Sequence, residues 1–213
     1  TKMKKLLFLL IALVSIHAIE AQSARQLLDE VSKKVKSYDN IIIGFKYSLS
    51  NPSENVSQET RGDVTLKGNK YLLKLMGTEQ MYDGKNLHVI IPEDEEINIS
   101  SQSEDDAGSI TPSKMLTFYE DGYSYKMDIE QNVNGRKIQY VKLTPIDGNS
   151  ELKEILLGID KQTKHIYKMI QSQKNGTNVT ITVNSFKTNQ PLSETLFKFD
   201  ESKYSSYYIN RLD

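Results

Sequence analysis

Apolar residues return every three or four positions along the stretch that begins at Ser23: Ala24, Leu27, Leu28, Val31, Val35 and Tyr38, with Arg25, Lys33, Lys34 and Lys36 between them. That period predicts an amphipathic helix with one buried stripe. Ser23 and Gln26 stand at the spacing of a capping box, which places the helix start at Ser23. Beyond Asp39-Asn40 the period falls to two, or breaks into short apolar runs, for most of the remaining chain. Strands are predicted over 41–50, 57–67, 70–76, 79–82, 86–91, 95–101, 123–131, 136–144, 152–160, 163–173, 177–187 and 195–199. Lys67-Gly68-Asn69, Asp83-Gly84, Asn134-Gly135, Asp147-Gly148-Asn149 and Asn175-Gly176 link them with residues that tolerate positive φ, so consecutive strands run antiparallel. One stretch interrupts the series. Over 108–122, Thr111 stands as a helix cap before Pro112, and Met115, Leu116, Phe118 and Tyr119 follow, which predicts a short helix inserted mid-sheet.

The class this implies is mainly β (α+β): a sheet large enough to curl, with two short helices to cover it. Either the side chains meet in a packed core, or the helices roof an apolar cavity; six Phe and no Trp are compatible with both. Alternation selects the inward residues for either filling. On the first helix these are Leu27, Leu28 and Val31; on the second, Met115, Leu116 and Phe118, with methionine an adaptable apolar contact. On the strands they are Phe45, Tyr47, Leu66, Leu73, Leu75, Leu87, Val89, Leu143, Leu157 and Ile181.

Composition narrows the chemistry. The 213 residues carry 27 basic against 28 acidic side chains and no cysteine, which removes thiol nucleophiles, Cys-ligated zinc and iron–sulfur clusters. The balanced charge also argues against a nucleic-acid partner. No G-x-S-x-G, H-E-x-x-H or P-loop pattern occurs, and the acidic stretches 93–96 and 104–106 lack the ligand alternation of a calcium loop. The reading is a non-enzyme without cofactor or metal. His88 is read as a surface or rim residue. At the N-terminus, Lys2, Lys4 and Lys5 precede the apolar run Leu6 to Val14, which is too short to span a bilayer and reads as a secretory signal peptide cleaved after Ala21. Residues 22–213 are then one domain. A secreted chain without cysteine fits a bacterial periplasm, and Gln22 at the new terminus means that the chain is not itself lipidated there.

Certain motifs stand in a telling order. G-D-V-T-L-K-G-N-K-Y (Gly62 to Tyr71) is followed by Y-D-G-K-N-L-H-V-I (Tyr82 to Ile90), the Thr111-Pro112-Ser113-Lys114-Met115-Leu116 segment, Leu143-Thr144-Pro145, and Leu152-Lys153-Glu154-Ile155 leading to Ile159-Asp160. In this order and spacing the chain resembles the LolA-type periplasmic carriers of outer-membrane lipoproteins, and its ending at Tyr208-Ile209-Asn210-Arg211-Leu212-Asp213 resembles Bacteroidetes-type members. The resemblance implies a half-open antiparallel barrel of about 11–12 strands under a short helical lid. It implies a monomeric chaperone that buries the acyl chains of lipidated proteins. An inner-membrane lipoprotein-releasing transporter would be its donor and an outer-membrane protein its acceptor. The inward residues named above become candidates for the acyl-chain cavity and lid. The chain departs from the pattern where well-studied carriers place a lid-gating arginine, which falls here on Leu73 or Lys74, and where an aromatic residue gives way to His88. The same half-barrel resembles lipid-sensing regulators of envelope stress, so a periplasmic lipid- or lipoprotein-sensing binding module is the alternative.

Overall fold

The computed structural model describes residues 21–101 and 111–212. Helix α1 covers 21–36. The strands are β1 (Ile41–Asn51), β2 (Val56–Lys67), β3 (Lys70–Leu75), β4 (Thr78–Tyr82), β5 (Asn86–Ile91), β6 (Glu96–Ser101), β7 (Tyr123–Val133), β8 (Arg136–Pro145), β9 (Leu152–Asp160), β10 (Ile166–Gln173), β11 (Asn178–Thr188) and β12 (Tyr208–Leu212). They form one unclosed sheet in the order β12-β6-β5-β4-β3-β2-β1-β11-β10-β9-β8-β7. All neighbours are antiparallel except β12, which runs parallel to β6. The architecture is the large, open, mainly antiparallel sheet expected of a half-open barrel.

Turn chemistry explains the closeness of most strand ends to expectation. Asn134 (φ 52°) and Gly135 (φ 82°) fill the two central positions of the β7–β8 hairpin, where positive φ matches the twist of the flanking strands. The same geometry at Met76 (φ 54°) and Gly77 (φ 77°) ends β3 one residue early, because Met76 turns into the hairpin instead of extending the strand.

Several expectations are corrected. Residues 21 and 22 are already helical, so Ser23 lies inside α1 and is not its cap; alanine and glutamine are good helix formers and carry the helix back past it. The expected signal peptide falls, apart from Ala21, outside the described residues. In place of a regular second helix, residues 112–117 make successive turns and Phe118–Glu120 a single 3-10 turn. Only Met115, whose N–H reaches the Thr111 carbonyl at 3.0 Å, closes an α-type turn there; the next bond, from Thr117 to Lys114 at 2.9 Å, spans three residues. Residues 195–197 are turns and 198–199 have no regular structure, in place of the expected strand, and the last strand is β12.

Pairing register shows that part of the sheet buries residues on both of its faces. Ile41, Ile43, Phe45, Val64 and Leu66 of β1 and β2 are buried on the concave face together with Leu143, Ile155, Leu157 and Ile159 from the other flank, and Ala24, Leu27, Leu28 and Val31 of α1 join the same cluster. Following one register row on that face outward from β3 gives Leu73, Gln80, Val89, Asn98 and Asn210, and the row turns polar. On the opposite face of β4–β6, Met81, His88, Ile90 and Ile97 are buried as well. The segment 189–207 meets that face at His88. It leaves β11 through reciprocal bonds between Asn40 and Gln190 at 2.9 and 3.0 Å, buries Phe197, and lays Phe199 on the His88 ring at 4.6 Å. Tyr204 stacks on Phe199 in turn at 5.5 Å. His88 is therefore a buried residue of a second, convex core and not a rim residue.

Gly62 is where β2 passes beneath a concave-face ring. A Cβ there would lie 2.7 Å from Phe45 Cζ and 2.8 Å from the backbone oxygen of Lys74. The backbone contact has no flexible end to yield. Gly62→Val is expected to destabilise the fold by about 1–3 kcal/mol, read as a lower denaturation midpoint with an unchanged m-value.

Candidate hydrophobic site beneath the α1 face

The concave face holds a hollow of about 70 Å³ lined by thirteen residues, none of them charged or hydrogen-bonding at the side chain. Ile43 and Phe45 come from β1, Val64 and Leu66 from β2, Leu73 from β3, Leu157 from β9, Ile166 and Met169 from β10, and Ile181 and Val183 from β11. Pro112, Met115 and Leu116 form its roof. The turn that follows Thr111 aims these three side chains at the sheet: proline fixes the entry, and the single α-type turn brings Met115 and Leu116 to the same side as Pro112.

Of the residues selected by alternation, Phe45, Leu66, Leu73, Met115, Leu116, Leu157 and Ile181 line the hollow. Leu27, Leu28, Val31 and Leu143 sit in the packed core beside it, and Tyr47, Leu75, Leu87 and Phe118 pack against that core while staying half-buried. Phe118 meets Tyr119 and Tyr123 edge-on at 5.6 and 5.7 Å instead of facing the hollow. Val89 belongs to the row that turns polar and lines nothing apolar. Alternation missed Ile43, Val64, Pro112, Ile166, Met169 and Val183. Ile43 and Val64 lie two residues from Phe45 and Leu66, so period two would have found them. Ile166 and Met169 are of opposite parity, and a register shift between Ile166 and Lys168 turns both inward.

The roof is tied down at its far end. Tyr125 donates its hydroxyl to the Tyr119 carbonyl at 2.7 Å, and Lys36 Nζ donates to Glu120 Oε1 at 2.5 Å. Ser32 donates its hydroxyl to the same carboxylate oxygen. The Lys36 ammonium, then the Ser32 hydroxyl, hold the Glu120 carboxyl below the ordinary range. The Tyr119 ring is buried and its hydroxyl has no hydrogen-bond partner among the described residues; burial pushes its pKa up, so the phenol stays neutral. The end of α1 is fixed by Tyr38, whose hydroxyl bonds to His165 Nε2 at 2.9 Å, with the His165 ring stacked on Phe186 at 4.0 Å. Burial, then Lys34, lowers the pKa of His165.

Leu73 faces the hollow, and Lys74 on the other face pairs with Glu79 at 3.3 Å. Among the described residues no three His, Asp or Glu side chains converge on a metal-sized site, and no helix is long and apolar enough to cross a membrane.

A search of the curated proteins found no match. Among solved structures, an uncharacterized conserved protein from Thermus thermophilus superposes with a TM-score of 0.55 at 13% identity, covering 89% of this chain and 99% of that one. The Mycobacterium tuberculosis lipoprotein LppX gives 0.52 at 13% identity, covering 81% and 98%. The LolA superfamily protein NE2245 from Nitrosomonas europaea gives 0.44 at 14% identity, covering 83% and 97%. At such identities these likenesses speak to the fold alone. The sequence itself decides the family: the profile of the outer membrane lipoprotein carrier protein LolA matches residues 36–200 of the 213, and the chain belongs to that family.

Proposed function

We propose that this chain is a periplasmic carrier that takes lipoproteins from an inner-membrane transporter and releases them to an outer-membrane acceptor, burying their acyl chains in the hollow meanwhile. The observation that carries this reading is the wholly apolar lining of the hollow beneath a roof with almost no regular structure. LolA family membership supports the periplasmic setting and a lipid- or lipoprotein-binding role. No chemical step is part of the reading.

The size of the hollow bears on how such a carrier releases its cargo. A cavity of roughly 150 Å³ accommodates benzene, so 70 Å³ holds no acyl chain as it stands. The roof must move. A chain of about 16 carbons gains on the order of 10 kcal/mol on leaving water. Lifting Met115 and Leu116 off the sheet returns part of this, at about 1.5–3 kcal/mol for each apolar side chain exposed. Net affinity falls well below the gross burial term, which suits a carrier that must let go without nucleotide energy.

The test is a titration with a synthetic diacylglyceryl-cysteine lipopeptide bearing an environment-sensitive fluorophore. Saturable binding, displaced by unlabelled lipopeptide but not by the deacylated peptide, is the expected result. Native mass spectrometry of protein from its own host should show a lipidated adduct. Equal competition by the deacylated peptide would remove the carrier reading.

A further inference from the structure

A second space of about 310 Å³ abuts the hollow and shares two wall residues with it, Leu66 and Leu116. It lies between the end of α1, at Val35, Lys36 and Tyr38, and the roof segment, at Ser113 and Thr117. Unlike the hollow it has a mixed lining, with Lys36, Asp39, Asn40 and three hydroxyl-bearing residues, Tyr38, Ser113 and Thr117, on its walls. Leu66 and Leu116 are 5% and 7% exposed and stand as walls of both spaces. The ion pair already described clamps the two sides together: Lys36 is itself a wall residue, and Glu120 ends the roof segment that supplies the other wall.

We propose that this vestibule is the entrance for the acyl chain, that Leu66 and Leu116 are its gate, and that the clasp of Glu120 by Ser32 and Lys36 is the latch that holds the gate shut. The inference rests on the carrier reading and deepens it by assigning a route. The polar walls suit the passage. Tails slip between the leucines into the hollow while the ester and amide end of the lipid anchor stays among hydroxyls and water. The latch acts between roof and helix. With Lys36 60% and Glu120 35% exposed at the side chain, solvent screens the pair, so it biases the gate without locking it.

The fluorescent lipopeptide tests the route through rates. Glu120→Gln keeps the size of the side chain and a partner for Ser32 while removing the charge that holds Lys36. Its uptake should be about two- to fivefold faster than wild type, and high salt should narrow the gap by speeding the wild type. The chain has no cysteine, so a Lys36→Cys/Glu120→Cys variant reacts with a short bis-maleimide linker, by addition of each thiol, only at the latch. Unbridged, the double variant should take up the probe at least as fast as wild type; bridged, it should take up almost none. Uptake by the bridged protein at the unbridged rate overturns the entrance while leaving the carrier reading intact. Failure of the wild type to bind the lipopeptide at all overturns both.

Discussion

Leu73→Glu is expected to weaken acyl-probe binding by at least tenfold while leaving the β-rich circular-dichroism spectrum unchanged. Leu73 is half-buried and lines the hollow; its register neighbours are Val64 on one side and Gln80 on the other. In the empty protein a glutamate there reaches toward the polar end of the row, past Gln80, and keeps its water. An acyl chain in the hollow removes that water; burying a polar group without a partner costs about 1–3 kcal/mol on the scale of protein substitutions and an ionised carboxylate more, and about 1.4 kcal/mol is already tenfold in affinity. Val89→Glu is the control. It stands two strands further along the same row, on the same face, yet lines no part of the hollow. Equal loss of binding in both variants would mean that the tail lies across β4 and β5 rather than over β1–β3. Loss of the folded spectrum in Leu73→Glu would make Leu73 a packing residue first.

How far this arrangement was legible in the sequence depended on parity. Where a strand alternates cleanly its inward face follows, as at Tyr123 to Met127, where Tyr123, Tyr125 and Met127 pack against the core and Ser124 and Lys126 are exposed. At Ile41-Ile42-Ile43 three apolar residues in a row conceal the parity, and only pairing with Leu66, Thr65 and Val64 shows that the first and third face inward. At Ile166 to Met169 the register shift changes parity within one strand, which no period-two pattern reveals. The roof was recognisable from Thr111-Pro112 because proline fixes a start. The pattern does not say how soon the turns give way, and Phe118, assigned to the lid, points to Tyr123 instead. The latch carried no signal. Glu120 lies 84 residues from Lys36 and 88 from Ser32, and only the fold brings them together.

The least legible part was the convex core, and the second large effect is expected there. Met81, His88, Ile90 and Ile97 sit on strands whose alternation gives no sign of which face is covered, because Tyr82, Leu87 and Val89 on the other parity are as apolar. What decides the matter is a partner more than ninety residues away, the segment carrying Phe197 and Phe199. Apart from the 3-10 turn Glu201–Tyr204, that segment has no regular structure until β12 pairs with β6, so its hold on the sheet comes largely from these rings. Phe197 is 7% exposed, and Phe197→Ala is expected to destabilise the protein by about 3–5 kcal/mol through lost burial and an unfilled cavity. For a chain of this size that corresponds to a fall of roughly 6–20 °C in melting temperature. The hollow lies on the other face, so acyl-probe affinity measured well below the new melting temperature should change by less than about twofold. Two measurements check this, a thermal melt and a binding titration on the same preparation. A melting shift under about 2 °C would show that the segment rests on the sheet without stabilising it. A large loss of affinity at full folding would show that the two faces of the sheet are coupled.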